Sequence, residues 1–125
     1  MTSPLGFTKI PNRLIEALAR INLNAYESRV IWFIIRKTYG WHKDTDWISL
    51  SQLSEGTLIK KSNISRTIKS LVKRNIVTRP DSRHIGLQEE YFHWLDKDMQ
   101  PWGRRLVRYR EKQKGKSRQE TGVPY

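Results

Sequence analysis

Six consecutive apolar residues, Val30-Ile31-Trp32-Phe33-Ile34-Ile35, lie in the middle of a segment that opens on Asn24-x-x-Glu27 and closes on Gly40. β-Propensity alone assigns such a run to a strand. The flanks decide otherwise. Asn followed three residues later by Glu is a capping box, which occupies N–H groups that a helix start leaves open. The fifteen residues from Ala25 to Tyr39 are also too many for an ordinary strand. A helix with apolar side chains on all sides is a buried one, so this segment is the expected centre of the core. At 125 residues the chain fits one domain.

The elements around it follow from shorter signals. Leu14, Leu18 and Ile21, preceded by Pro11-Asn12, form an i, i+4, i+7 stripe and predict a first helix of about two turns. Asp46-Trp47-Ile48-Ser49 reads as a short strand. Ser49-x-x-Gln52 is a second capping box, opening a short helix through Leu50 and Leu53. From about Ser62 to Asn75, the residues Ile64, Ile68, Leu71, Val72 and Asn75 share one helix face. Ser62, Arg66, Lys69, Ser70 and Lys73 occupy the opposite face, with Asn63 and Arg74 at its flank. That outer face holds no acid. Ile76–Arg79 and His84–Leu87 are β-prone runs bracketing the turn composition Pro80-Asp81-Ser82-Arg83. Tyr91, Trp94 and Leu95 are placed to close the base of the core. The expected fold is mainly α with a small β-hairpin, in the order of a winged helix-turn-helix.

Charge then says what such a fold is for. With 24 Lys+Arg against 12 Asp+Glu the chain carries +12, which points to a polyanionic partner, whether nucleic acid, an acidic membrane surface or an acidic protein. The excess has two centres. Residues 60–83 hold eight bases and only Asp81, and residues 101–125 hold eight bases and two acids. The first cluster lies in patterned sequence and the second in a stretch with few large apolar groups. With the helix-turn-helix order, residues 1–95 are expected to form a winged helix-turn-helix DNA-binding domain and 96–125 a basic, flexible tail.

Gly6-Phe7-Thr8-Lys9-Ile10-Pro11-Asn12, Arg36-Lys37-Thr38-Tyr39-Gly40-Trp41, Ile48–Ser54, and Ile85-Gly86-Leu87-Gln88 with Trp94 resemble the N-terminal domain of the bacteriophage replication protein O family. The similarity covers roughly residues 6–95, and Arg36–Trp41 with Lys43 is its most specific part. The resemblance implies a winged helix that binds repeated origin sites in double-stranded DNA, as a homodimer, in the cytoplasm of a bacterial host. In longer members a C-terminal region recruits the helicase-loading machinery, and 125 residues are expected to hold the DNA-binding half. One departure concerns the turn, where Leu58 stands at a position that often holds glycine.

The candidate contacts follow from donor chemistry. Arg66 is expected to read a base, because a guanidinium matches guanine O6 and N7, and Asn63 is able to pair with adenine. Ser62 and Ser70 suit either base or phosphate. Lys60, Lys61, Lys69 and Lys73 are expected on phosphates, Arg79 and Arg83 flank the wing tip, and Arg104, Arg105 and Arg108 add sequence-independent grip from the tail. Trp32, Trp41 and Trp94 are expected in the core; Trp47 and Trp102 are the candidates for exposure.

Other classes fare poorly. The absence of cysteine excludes a disulfide framework, a thiolate nucleophile and a Cys-based zinc finger. Glu90-x-x-His93-x-x-Asp96 lacks a second histidine at ligand spacing, and Gly115-Lys116-Ser117 lacks both the earlier glycine and the strand of a phosphate-binding loop. No catalytic residue, metal or cofactor is expected. No apolar run approaches the roughly 20 residues of a spanning helix, and Met1–Gly6 shows no secretion signal, so no membrane association is expected. The competing readings are a winged-helix transcriptional regulator and a basic adaptor that binds RNA or an acidic protein.

Overall fold

The computed structural model describes residues 6–101. Four helices and three short strands follow one another as α1 (Asn12–Arg20), α2 (Ala25–Thr38), β1 (Thr45–Trp47), α3 (Leu50–Thr57), α4 (Lys61–Lys73), β2 (Val77–Thr78) and β3 (His84–Leu87). Single 3-10 turns at Tyr39–Trp41 and Tyr91–His93 complete the order.

Helix α2 is the hub, packed against α3, α4, β1 and β3. Its capping box forms as the sequence predicts: Asn24 Oδ1 accepts the Glu27 N–H at 2.8 Å and Glu27 Oε1 accepts the Asn24 N–H at 2.9 Å. Val30, Ile31, Ile34 and Ile35 are buried from end to end. Burial is not complete on every side, however. Trp32 is 51% exposed, because α1 covers that flank only in part and leaves an apolar cleft of about 240 Å³ between Ile15, Leu18, Ala19 and Trp32. The expectation of a core position for Trp32 is thereby corrected.

The end of α2 also differs from the expectation that Gly40 stops it. The chain tightens through the 3-10 turn Tyr39–Trp41, and the left-handed residue is His42 at φ 56°. Within Arg36–Trp41, Thr38 is fully buried and its hydroxyl donates to the Ile34 carbonyl at 2.7 Å. Burial, and then a hydrogen bond with Tyr91, push the Tyr39 hydroxyl well above the usual tyrosine range. Trp41, expected in the core, is 61% exposed, with the Arg36 guanidinium 5.9 Å from its ring centre. Trp94 is the one of the three that is buried; its indole N–H donates to the Gln88 carbonyl at 2.9 Å.

The strands form one antiparallel sheet in the order β1-β3-β2. Register pairs Trp47 with His84, Asp46 with Ile85 and Thr45 with Gly86 on one side, and Val77 with Leu87 on the other. Ile85, Leu87 and Val77 are buried. At Gly86 a side chain would collide with the Asp44 carbonyl, so only glycine lets the Asp44–Thr45 backbone lie against the middle of β3. β1 begins one residue earlier than the sequence pattern suggests, and Ile48 points into the core just after it.

Candidate nucleic-acid interface

Helices α3 and α4 are joined by Leu58-Ile59-Lys60. Leu58 takes the left-handed conformation expected of a glycine, at φ 59° and ψ 33°, with its side chain 87% exposed. A leucine there costs about 1–2 kcal/mol. Neighbouring bonds offset the cost: Leu58 N–H reaches the Ser54 carbonyl, Ser54 Oγ donates to the Ile59 carbonyl at 2.6 Å, and Arg29 of α2 donates to the Thr57 carbonyl. The turn therefore forms without glycine, and Ile59 is buried beneath it. Arg29 is a supporting residue that the sequence pattern missed.

This turn sets the direction of α4. Ile64, Thr67, Ile68 and Leu71 face the core. Lys61, Ser62, Arg66, Lys69, Ser70 and Lys73 are exposed, as is Lys60 at the N-cap, and Asn63 is half-buried. Lys60 supplies no side-chain cap and the first turn holds no acid. That helix start is thus electropositive and suited to an anion. The predicted outer face is assembled as one surface, with two differences. Val72, assigned to the apolar face, is 39% exposed. Ser70 is exposed but committed, its hydroxyl donating to Glu27 Oε2 at 3.2 Å.

The largest correction is Arg74. Rather than flanking the outer face it is 4% exposed, and its guanidinium sits at 3.1 Å from the Glu27 carboxylate. It also donates to the carbonyls of Asn22 at 2.8 Å and Leu95 at 3.1 Å. The reason is the way α4 ends. Asn75 turns left-handed at φ 58°, its N–H reaching the Val72 carbonyl while the Ile76 N–H reaches Leu71, and this Schellman closure turns Arg74 inward.

Between β2 and β3 the predicted wing is held by Asp81. Its carboxylate accepts the N–H groups of Arg83 (2.8 Å) and His84 (2.9 Å) and lies 3.0 Å from His84 Nδ1. Those backbone bonds first, and the imidazole second, hold the Asp81 carboxyl near 2 instead of 3.8. A depressed carboxylate supports the fold above its unfolded value and loses that support as pH falls through the folded value. The turn between β2 and β3 is accordingly expected to stay closed at pH 4 and to loosen toward pH 2. Carboxyl NMR should show Asp81 titrating near 2, and a midpoint at 3.8 would contradict the turn. Arg79 and Arg83 are exposed on this hairpin connection, and Arg79 donates to the Ser82 carbonyl at 3.2 Å.

Asp96 does not face a shared site with Glu90 and His93. Its Oδ1 accepts the N–H groups of Asp98 and Gln100 and shapes the chain there. Among the described residues no group of three or more His, Asp or Glu side chains is placed to hold a metal, and no helix is long and apolar enough to cross a membrane. Arg104, Arg105, Arg108 and Trp102 lie outside the described residues.

Comparison with known proteins gives a consistent result. The family described as bacteriophage replication protein O matches over residues 3–94. The DNA replication protein gp18 of Salmonella phage P22 is 28% identical over 92 residues, covering 74% of this chain and 34% of that protein. Replication protein O of Escherichia phage lambda is 38% identical over 72 residues, covering 58% and 22%. Replication protein 15 of Enterobacteria phage phi80 is 26% identical over 93 residues, covering 72% and 31%. The matched region is thus about a third or less of each relative's length. No solved structure matches.

Proposed function

The chain belongs to the bacteriophage replication protein O family, and from that premise we propose that residues 1–95 are a winged helix-turn-helix domain that binds repeated double-stranded sites at a phage-type replication origin during initiation. The observation that carries this reading is the exposed, acid-free face of α4, presented by a tight turn and followed by a basic hairpin. In such a fold the second helix enters the major groove with its N-terminal half toward the base edges. Lys60, Lys61 and Ser62 then lie closest to the DNA, and Arg66 stands one turn further on.

Arg66 is exposed and has no ion pair among the described residues, so its guanidinium is available to a guanine. Lys69 and Lys73, farther along α4, serve phosphates and set register. Arg79 and Arg83 extend the contact from the wing, and Arg104, Arg105 and Arg108 add affinity that is blind to sequence. A second copy on a neighbouring repeat is part of this reading; Ile15 and Trp32 supply an exposed apolar surface suited to such pairing. Origin binding by this domain marks the place where the helicase-loading machinery is to act, without chemistry by the domain itself.

Two substitutions test the roles. Arg66→Ala is expected to cost about 1–3 kcal/mol of binding and to relax preference at one base pair, whereas Lys73→Ala weakens all duplexes alike. Competition titrations against single-base variants of the site measure both. Equal, sequence-blind losses for the two variants would remove Arg66 from base reading.

A further inference from the structure

Trp47 is the most unusual exposed side chain near the wing. It ends β1, is 63% exposed, and stands directly across the sheet from His84. Residues paired in register share a face, and this face is the one turned away from Ile85 and Leu87, hence from the core. A tryptophan in such a place forgoes the burial that its size rewards. It is also close to the wing turn, since its partner His84 is the first residue of β3 and is held by Asp81.

Cations stand near it on the hairpin. Arg79 and Arg83 lie on the same hairpin. Two acids near it, Asp46 and Asp81, are engaged by groups of their own chain. Asp46 accepts the Trp47 N–H at 2.8 Å and pairs with Lys43 at 3.6 Å, and Asp81 is occupied by the backbone and ring of His84 and the backbone of Arg83. An exposed indole thus stands across from an imidazole, on a sheet whose neighbouring hairpin carries two exposed arginines.

We propose that Trp47, with His84 beside it, is a second DNA-contacting element, packing its ring on the deoxyribose wall of the minor groove next to the major-groove site of α4. The proposal rests on the duplex-binding reading above and adds to it a contact that is apolar rather than ionic. An apolar ring covers sugar carbons and so contributes affinity without releasing counterions. It also helps fix which side of the site the wing occupies.

The test uses the full chain on a duplex carrying the protected site. Trp47→Ala is expected to weaken binding about tenfold, the loss of roughly half of a large side chain's burial, with the salt slope unchanged. Trp47→Phe, which keeps an aromatic ring, restores most of it. Hydroxyl-radical cleavage, which attacks sugars from the minor groove, should lose protection in Trp47→Ala only at the flank beneath the wing. Thermal unfolding should match the wild type, given the exposure of the residue. If Trp47→Ala binds and footprints as the wild type does while Arg66→Ala is impaired, duplex reading by α4 stands and the Trp47 contact is refuted. If Trp47→Ala loses affinity for single strands and not for duplex, the ring stacks on unpaired bases and the proposal is overturned. If the wild type itself shows no duplex binding, the underlying reading fails and this one with it.

Discussion

Arg74→Ala is expected to destabilise the domain by about 3–5 kcal/mol, the range for removing one partner of a buried ion pair. Both members are nearly inaccessible, Glu27 at 3% and Arg74 at 4%. The loss exceeds that of the pair itself, because the guanidinium also supplies the Asn22 and Leu95 carbonyls. One side chain thus joins the loop before α2, the end of α4 and the segment after β3. Denaturant unfolding gives the value directly. Removing both charges with Glu27→Leu and Arg74→Met should recover part of the loss but not all, since two carbonyls still lack their donor and the α2 capping box loses its acceptor. A single-variant loss below 1 kcal/mol, as for a surface pair, would contradict the burial seen here. DNA binding at temperatures well below unfolding should fall little, which separates Arg74 from the neighbouring Lys73.

Affinity for duplex DNA is expected to collapse with salt. Lys60, Lys61, Lys69, Lys73, Arg79 and Arg83 are exposed, while Arg74 is neutralised internally and does not count. If these, alone or with up to two tail arginines, neutralise six to eight phosphates, log affinity falls against log salt with a slope of roughly −5 to −7. Between about 50 and 200 mM salt that amounts to about 10³- to 10⁴-fold. Titrations by fluorescence anisotropy at several salt concentrations measure the slope. Removing a lysine that touches phosphate should lower its magnitude by about one, whereas Arg74→Ala should leave it unaltered. A slope near zero would exclude the phosphate contacts assigned to α4 and the wing.

Much of this fold was legible because its signals are local. Both capping boxes form as written, with Ser49 and Gln52 exchanging bonds at 2.9 and 3.1 Å. The 3.6-residue period of α4 separated Ile64, Ile68 and Leu71 from Arg66, Lys69 and Lys73 correctly. The misplacements arise where a distant element decides. Arg74 lies at the edge of the polar arc by angle, but Glu27 waits 47 residues away to receive it. Trp32 and Trp41 look like core by hydropathy, yet α1 covers the Trp32 flank only in part and Trp41 stands exposed in the 3-10 turn after α2. Leu58 appeared ill suited to its turn because the compensating bond from Arg29 comes from another helix. At the interface itself, residue type and helix phase located the exposed cations, whereas the pairing of Trp47 with His84 needed the strand register.

The central claim is that α4 and the wing recognise repeated duplex sites belonging to an origin. Quantitative footprinting of the intact chain on the DNA surrounding its own gene tests it most directly, with Arg66→Ala as the companion. The expected result is protection of several short, similar sites within or beside the coding region at protein concentrations that leave other duplex unprotected, with selectivity reduced in Arg66→Ala. Uniform protection without preferred sites, or protection confined to a promoter, would contradict it.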